Sequence, residues 1–555
     1  MTDGFSIDEE EKGSLLLQIK KDTRVHEKET SNDTNYKKNQ SKPDDLKERK
    51  ERNDISKISV SHSNNASNFG WMGLGKIAIE FDDDIKEYVY TVTEPNLTEA
   101  EHLIREQLTR IFRLQTDVDV SDNEEENKLG LLKSTLDKLI ETNHIVLDET
   151  QKNNIYYYLF RDFIGYEKID AFMHDDNIED ISCDGQNVPI FIYHREHESI
   201  RTNVVFTDDE KLTSFVIKLT QICGKQISVY EPIVDGKLPD GSRLQATLGK
   251  TVTKSSTFTI RRFRSNPLTA IDLVKYRTIS MDMVSYFWLI MEYGCSILFC
   301  GGTASGKTTL LNALSLFIPP SFKIVSIEDT REINLPHENW IAGTSRTGFS
   351  SSENEKSSKD IDMFDLIKAA LRQRPRVIIV GEVRGKEAYT LFQAMATGHL
   401  SYSTIHASDI QTLIQRLESP PISLPRTLLT SLDVIVFLNA VTTSEGKVER
   451  RVKSIVEIVK IDPESQRLIS VTPFTWVSPI DDRFEYHGGS NILEKIKRDR
   501  GWSNKDIQDE LDQRKTILIW MQKHNLRSYK EVGRIVSEYK KDPRAVMLKV
   551  RADEK

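Results

Sequence analysis

The sequence predicts an α/β fold with a doubly wound parallel sheet at its centre, and three observations carry that prediction. First, Ser296-Ile-Leu-Phe-Cys-Gly-Gly-Thr-Ala-Ser-Gly-Lys-Thr-Thr-Leu-Leu-Asn312 reads as a short buried strand, a glycine-rich loop and a helix with an apolar face. Second, Phe322-Lys-Ile-Val-Ser-Ile-Glu-Asp329 and Arg376-Val-Ile-Ile-Val-Gly-Glu-Val-Arg384 read as further buried strands that end in acids, as parallel strands do when their C-terminal ends line a site. Third, amphipathic helical sequence alternates with these strands, which is the signature of a doubly wound sheet.

Gly301 to Thr308 fits G-x-x-x-x-G-K-[ST] in the strand–loop–helix setting that gives this pattern meaning. The glycines let successive backbone N–H groups converge on phosphate oxygens, and the helix N-terminus adds partial positive charge. Lys307 can reach the outer phosphates and the Thr308 hydroxyl can ligate Mg²⁺. A nucleoside-triphosphate site is therefore expected at Gly301, Gly302, Thr303, Ala304, Ser305, Gly306, Lys307, Thr308 and Thr309.

From the N-terminus, residues 1–66 are polar and charged without sustained periodicity, and read as a disordered tail. Ile77–Phe81 and Tyr88–Val92 read as paired strands, and Thr98 as the N-cap of a helix through Leu114. The acidic stretch 117–126 reads as a loop, followed by helices over about 128–142 and 149–164. Residues 67–164 are thus expected to be a small α/β and helical region, and 165–275 a second α/β domain. The latter holds strands at Ile178–Ser182 and Ile190–Tyr193, a helix at Asp208–Cys223, and a hairpin turned by Pro239-Asp240-Gly241. Arg243, Arg261, Arg262 and Arg264 cluster there and could serve a phosphate, but a solvated face or surface ion pairs account for them more readily.

Residues 276–480 should form the nucleotide domain, entered by a helix over Ser280–Tyr293. Gly343–Asp360 reads as a loop. Glu382 ends its strand where a carboxylate can ligate Mg²⁺ or orient water, or can cap the next helix. His399 and His406 flank a strand-like core; without a third ligand they do not suggest a metal site. Strands at Val434–Leu438, Ile455–Val459 and Leu468–Val471 extend the sheet antiparallel, and 481–555 turns helical. There Ile507, Leu511, Ile517, Leu518, Trp520 and Met521 form an apolar stripe, read as core or as a docking face for a membrane partner.

Composition narrows the function classes. A chain of 555 residues with net charge −9 is not expected to be a general nucleic-acid binder. Its four cysteines form no C-x-x-C pair, so neither a zinc site nor a disulfide framework is expected, and reduced thiols suit a cytoplasmic protein. No apolar run is long enough to span a bilayer and no signal-peptide core is evident, so action at a membrane would proceed through a partner.

Taken together, Gly301–Thr308, Ile327-Glu-Asp-Thr-Arg-Glu332, Ile378-Ile-Val-Gly-Glu-Val-Arg384 and Thr397-Gly-His399 through His406-Ala407 resemble the Walker A, Asp box, Walker B and His box of the type II and type IV secretion ATPase superfamily. Leu238-Pro-Asp-Gly-Ser-Arg243, Thr259-Ile-Arg-Arg-Phe263, Ala369–Pro375 and Gly501-Trp502 are similar to the archaeal branch, the motors of archaella and archaeal pili. The tetracysteine zinc element common in bacterial assembly ATPases is absent from the sequence, and Gly385-Lys386 departs from the Arg-Asp common in the wider family.

The resemblance implies a P-loop, RecA-like core and a cytoplasmic, peripherally membrane-associated homo-hexamer. It would hydrolyse ATP with Mg²⁺ to drive filament assembly or archaellum rotation through a membrane platform protein, without direct nucleic-acid binding. It further implies Lys307 and Thr308 on phosphate and Mg²⁺, Glu382 on water and metal, Glu328 or Glu332 as a second acid, His406 sensing the γ-phosphate, and His399 supporting the His box. Arg243 and Arg261 would reach the nucleotide across a subunit boundary. A DNA- or protein-translocating ATPase, and a nucleotide-gated scaffold with little turnover, are the alternatives.

Overall fold

The computed structural model describes residues 67–115, 125–263, 266–345, 361–442, 448–465 and 467–553. The expected tail, Arg264, most of the acidic stretch 117–126 and most of the expected loop 343–360 lie outside them.

The described residues form two nine-stranded sheets. The first holds β1 (Ser67–Phe69), β2 (Gly75–Asp82), β3 (Glu87–Thr93), β4 (Ile178–Cys183), β5 (Pro189–His194), β6 (Glu198–Val205), β7 (Ile233–Lys237), β8 (Arg243–Thr247) and β9 (Thr257–Arg261). Their order is β1-β2-β3-β6-β5-β4-β9-β8-β7. Pairing is antiparallel except where β3 meets β6, so the sheet carries strands from both sides of residue 164. The expected strands at 77–81 and 88–92 do pair, Ile77 opposite Val92. Helices α1 (Glu99–Gln115), α2 (Glu125–Thr142) and α3 (Glu149–Phe163) intervene. Thr98 caps α1 reciprocally: Glu101 N–H donates to its hydroxyl at 3.3 Å and its own N–H donates to the Glu101 carboxylate at 2.6 Å. After α4 (Asp170–His174) and α5 (Asp209–Ile222), the β7–β8 hairpin turns at Gly241, whose φ of 94° suits glycine.

The second sheet is the one the sequence predicts. Its strands are β10 (Ile297–Gly301), β11 (Ile324–Glu328), β12 (Trp340–Thr344), β13 (Val377–Val380), β14 (Leu400–Ile405), β15 (Val434–Thr442), β16 (Val448–Ile461), β17 (Leu468–Trp476) and β18 (Phe484–Tyr486). The order is β12-β11-β13-β14-β10-β15-β16-β17-β18. Pairing is parallel from β12 through β15 and antiparallel from β15 onward, so the antiparallel extension is as expected. Strand β12 was not expected: its burial pattern is mixed and Gly343 interrupts it, so the stretch gives no clear strand signal.

Both faces of this sheet are covered, as a parallel sheet requires. Ile297 and Phe299 of β10 join one buried cluster with α6 (Ala270–Lys275), α7 (Met281–Glu292) and α8 (Lys307–Ser315). Leu298 and Cys300 join the other, with α9 (Met363–Arg372), α10 (Lys386–Ala396) and α11 (Ile410–Glu418). This is the period-2 alternation of a strand buried on both sides.

The C-terminal helices α12 (Asn491–Arg500), α13 (Asn504–Lys523), α14 (Tyr529–Lys541) and α15 (Pro543–Asp553) belong to the first of these clusters. Of the apolar stripe, Ile517, Leu518, Trp520 and Met521 are buried and Ile507 and Leu511 pack against them. The stripe is core, which removes it as a docking face. A buried ionic hub fastens it: Arg514 donates to Glu292 at 2.7 Å, pairs with Glu510, and faces the rings of Trp288 and Tyr539. Burial alone would raise the Glu292 carboxyl, but Arg514 and Lys540 hold it below its ordinary value. Removing one partner strands the other charge in the interior. Arg514→Ala should therefore lose about 3–5 kcal/mol in urea unfolding followed by tryptophan fluorescence; an unchanged midpoint would show that the hub does not hold the C-terminal helices.

Candidate nucleotide-binding site

The parallel register brings the motif residues to one edge. Cys300 of β10 lies opposite Ile405 of β14, so Gly301 and His406 leave the sheet side by side. Val380 of β13 pairs with Ser403 and with Ile327 of β11, which sets Gly381-Glu382 beside Glu328. The Thr404 hydroxyl donates to Gly381 O at 2.7 Å and Val383 N–H to Thr404 O at 2.9 Å, fixing where Glu382 turns.

The loop itself is shaped by sterics. A Cβ on Gly301 would lie 2.5 Å from Leu438 O and from Ser305 Oγ, so only glycine fits there. Ala304 (φ 56°) and Gly306 (φ 89°) take left-handed conformations, and Gly306 caps α8. Ser305 is buried and its hydroxyl donates to Gly302 O at 2.9 Å; Lys307 Nζ donates to the same carbonyl at 2.7 Å. Gly302, Thr303 and Ala304 are exposed at the mouth of this cradle. Thr308 is half-buried in the first turn of α8, and its hydroxyl makes no hydrogen bond among the described residues. Exposed backbone before a helix N-terminus, one buried lysine and an unspent hydroxyl fit a phosphate-bearing ligand and its Mg²⁺.

Two acids at the ends of adjacent strands on this edge are in opposite electrostatic states. Glu328 is buried against Gly381, whose added Cβ would lie 3.2 Å from Glu328 Cγ. Its Oε1 accepts from the N–H groups of Glu332 and Ile333 at 2.9 and 3.0 Å, while Oε2 is buried without a partner. Burial dominates, and its pKa is pushed up to about 7. Burial acts on Glu382 in the same direction, yet Arg384, His406 and Lys307 hold that carboxyl below its ordinary value. Arg384 donates to Glu382 Oε2 at 2.7 Å. His406 Nε2 lies 3.0 Å from Oε1 but off the line of a hydrogen bond, which leaves Oε1 buried without a donor. Burial and the Lys307 charge lower the His406 pKa against the upward pull of Glu382, so the ring is neutral at neutral pH. Lys307 is itself lowered by burial, with Glu382 and Glu332 opposing. Glu332 is exposed and reaches the site through that charge and its backbone N–H.

Not every expected residue gathers here. His399 precedes β14 and His406 follows it, so the two lie at opposite ends of a six-residue strand, about 20 Å apart at the usual rise. His399 contacts Thr397, at the end of the strand away from His406. Arg243 and Arg261 face each other across β8 and β9, exposed; Arg243 has a loose 3.7 Å pair with Asp235, and neither touches the phosphate loop. Arg262 donates to Phe172 O and Asp175 O at 2.9 and 2.6 Å, a structural role. Nor does Glu382 cap the next helix, whose start has no side-chain cap; Glu387 in its first turn accepts instead from Arg384 N–H and Gly385 N–H at 2.6 Å, ahead of the helix.

Conversely, sequence reasoning missed three basic residues. Arg384 stands two residues from Glu382 and could have been found by that spacing. Arg416 of α11 donates to His406 O at 3.2 Å, and Arg450 of β16 donates to Ala304 O at 3.3 Å. Both depend on tertiary contacts that local sequence does not encode.

Residues 175–457 match the family model described as Type II/IV secretion system protein, and residues 481–555 the one described as PilB3-like, C-terminal. The chain is 37% identical over 436 residues to an uncharacterized protein of Methanocaldococcus jannaschii, covering 78% of this chain and 76% of that one. A second uncharacterized protein of that organism is 49% identical over 269 residues, covering 48% of this chain and 97% of its own length. A probable conjugal transfer protein TrbB of Sinorhizobium fredii is 34% identical over 198 residues, covering 35% of this chain and 57% of its own.

The Glu328 environment has a measurable consequence. Between the ordinary carboxyl pKa of 4.5 and the folded value of about 7, the folded chain binds a proton that the unfolded chain has lost. Stability contributed by this group is therefore full below the lower value and falls as pH rises to the upper one, by about 3 kcal/mol in all. Glu328→Gln keeps the acceptor for Glu332 and Ile333 but cannot ionise. It should flatten the stability profile over that window in a melting series; an unchanged slope would refute the raised pKa.

Proposed function

This chain belongs to the type II/IV secretion system protein family, and from that premise we propose that it is a Mg²⁺-dependent ATPase. It would work as a cytoplasmic homo-hexamer, peripheral to the membrane, that assembles or drives a pilus-like or archaellum filament through a membrane platform protein. The observation that carries the ATPase reading is the convergence of the phosphate loop, Glu382, Arg384 and His406 on one edge of the parallel sheet. The PilB3-like match at 481–555 supports the pilus-type partner. No helix among the described residues is long and apolar enough to cross a membrane, which accords with action through a partner.

In this reading Lys307 and the loop N–H groups hold the β- and γ-phosphates. Glu382, kept ionised, would accept a hydrogen bond from the attacking water. Thr308 and Glu382 would hold Mg²⁺, which would supply positive charge to the phosphates. His406, neutral and beside Glu382, is placed to report on the γ-phosphate. Glu328, protonated below about pH 7, can donate a hydrogen bond from its unpartnered oxygen. Arg243 and Arg261 would complete a site on a neighbouring subunit; their exposure and the loose Asp235 pair leave them available for it. A translocating ATPase for DNA or protein is the second reading, favoured by the likeness to a conjugal transfer protein and opposed by the net charge of −9.

Phosphate release by the full chain, with and without membranes carrying the platform protein, tests the proposal. Glu382→Gln should lower kcat by about 10²–10⁴-fold while nucleotide still binds, and Lys307→Ala should lose binding as well. Arg243→Ala should bind nucleotide yet hydrolyse it slowly; normal turnover would remove that residue from the mechanism. A wild type that binds ATP but is inert even with membranes would replace the motor with a nucleotide-gated scaffold.

A further inference from the structure

Arg450 reaches the phosphate loop from the flank opposite the acids. It sits on β16 opposite Ala440 of β15, and β15 pairs in parallel with β10, Leu438 beside Gly301. Its Nε donates to Ala304 O at 3.3 Å, and a Cβ on Gly306 would lie 3.8 Å from Arg450 Cγ. The side chain thus spans the loop from residue 304 to residue 306. Its two terminal nitrogens have no hydrogen bond or ion pair among the described residues.

The backbone under Arg450 is held firmly. Successive strand residues point to opposite faces, and the next residue, Arg451, is almost wholly buried on the other face. Arg451 Nε donates to Asp482 at 2.7 Å and Nη1 to Tyr276 O at 3.3 Å, and Val452 N–H donates to Thr278 O at 2.8 Å. A guanidinium presented from so fixed a strand loses little freedom on binding, and its planar fork matches phosphate oxygens.

We propose, resting on the reading of this site as a nucleotide site, that Arg450 is a second phosphate-binding cation of the loop and holds ADP and ATP alike. On binding, its terminal nitrogens close on the phosphate chain while the stem keeps its place over Gly306. The sheet order decides which phosphates it serves. Glu382 and His406 leave β13 and β14 on one side of β10, whereas β15 and β16 stand on the other. Arg450 therefore faces away from the water-side chemistry, and its contribution is to affinity and not to the hydrolytic step.

Titration of the full chain with a fluorescent N-methylanthraniloyl-ADP, followed by steady-state ATP hydrolysis, tests this. Arg450→Ala should weaken ADP binding and raise KM for ATP by about tenfold, the worth of a charged hydrogen bond, with kcat within about twofold of wild type. Arg450→Lys should recover part of the affinity. Lys453→Ala, an exposed change on the same strand, should leave affinity unchanged. Wild-type affinity in Arg450→Ala, or a fall in kcat without loss of affinity, would overturn the proposal. So would equal losses in the Ala and Lys variants with a lowered melting temperature, which would make Arg450 a prop for the loop. If Lys307→Ala binds as well as wild type, the nucleotide reading itself fails, separately from Arg450.

Discussion

Everything at the candidate site hangs from the register of one strand. All five residues of β10 are buried, with parallel neighbours on both sides and a hydrophobic cluster on each face. A slip of one residue would exchange every side chain between the two clusters, so the register is strongly specified. That constraint decides where the loop begins, and Leu438 O and Ser305 leave room at Gly301 for glycine alone. The same ladder extends through β14 and β13 to β11 and aligns His406, Glu382 and Glu328. Residues nearly 80 positions apart meet because parallel strands end together.

On that edge, burial is turned to opposite ends. It works against ionisation in both acids, but only Glu382 has cations close enough to overcome it. Glu328 accepts backbone N–H groups on one oxygen and has nothing on the other, so it gains a proton near neutrality. Two carboxyls beside the same Gly381 therefore differ in protonation state. Such a separation divides acid and base roles between chemically identical groups. Glu328 and Glu332 differ in the same way: the first is buried with one unpartnered oxygen, while the second is exposed and acts on Lys307 through its charge.

Much of this was legible in the sequence where the signal was local. The glycine spacing, the apolar strands and the acids at their ends are written within a few residues of each other, and the doubly wound sheet follows from their alternation. Legibility failed where geometry intervened. His399 and His406 look like one motif because they are seven residues apart, yet a strand between them carries them to opposite edges. Arg450 lies almost 150 residues from the loop it touches, on a strand whose sequence gives no hint of a site. The C-terminal stripe was ambiguous because an apolar helix face says that something covers it and not what; α7, through Trp288 and Glu292, is what covers it.

The antiparallel extension has a physical consequence beyond closing the sheet. Along β16, Arg450 touches the phosphate loop, Arg451 and Val452 hold Tyr276 and Thr278, and Glu457 is wholly buried. That carboxylate accepts from Tyr286 at 2.7 Å, from Ser490 at 2.5 Å and from Ile492 N–H at 3.0 Å, binding α7 and the start of α12 to the strand. Tyr276–Thr278 joins α6 to α7 within the entry segment that links the last strand of the first sheet to β10. One strand therefore contacts the loop, the entry segment and the C-terminal helices. Close packing around these contacts leaves little free volume along the strand.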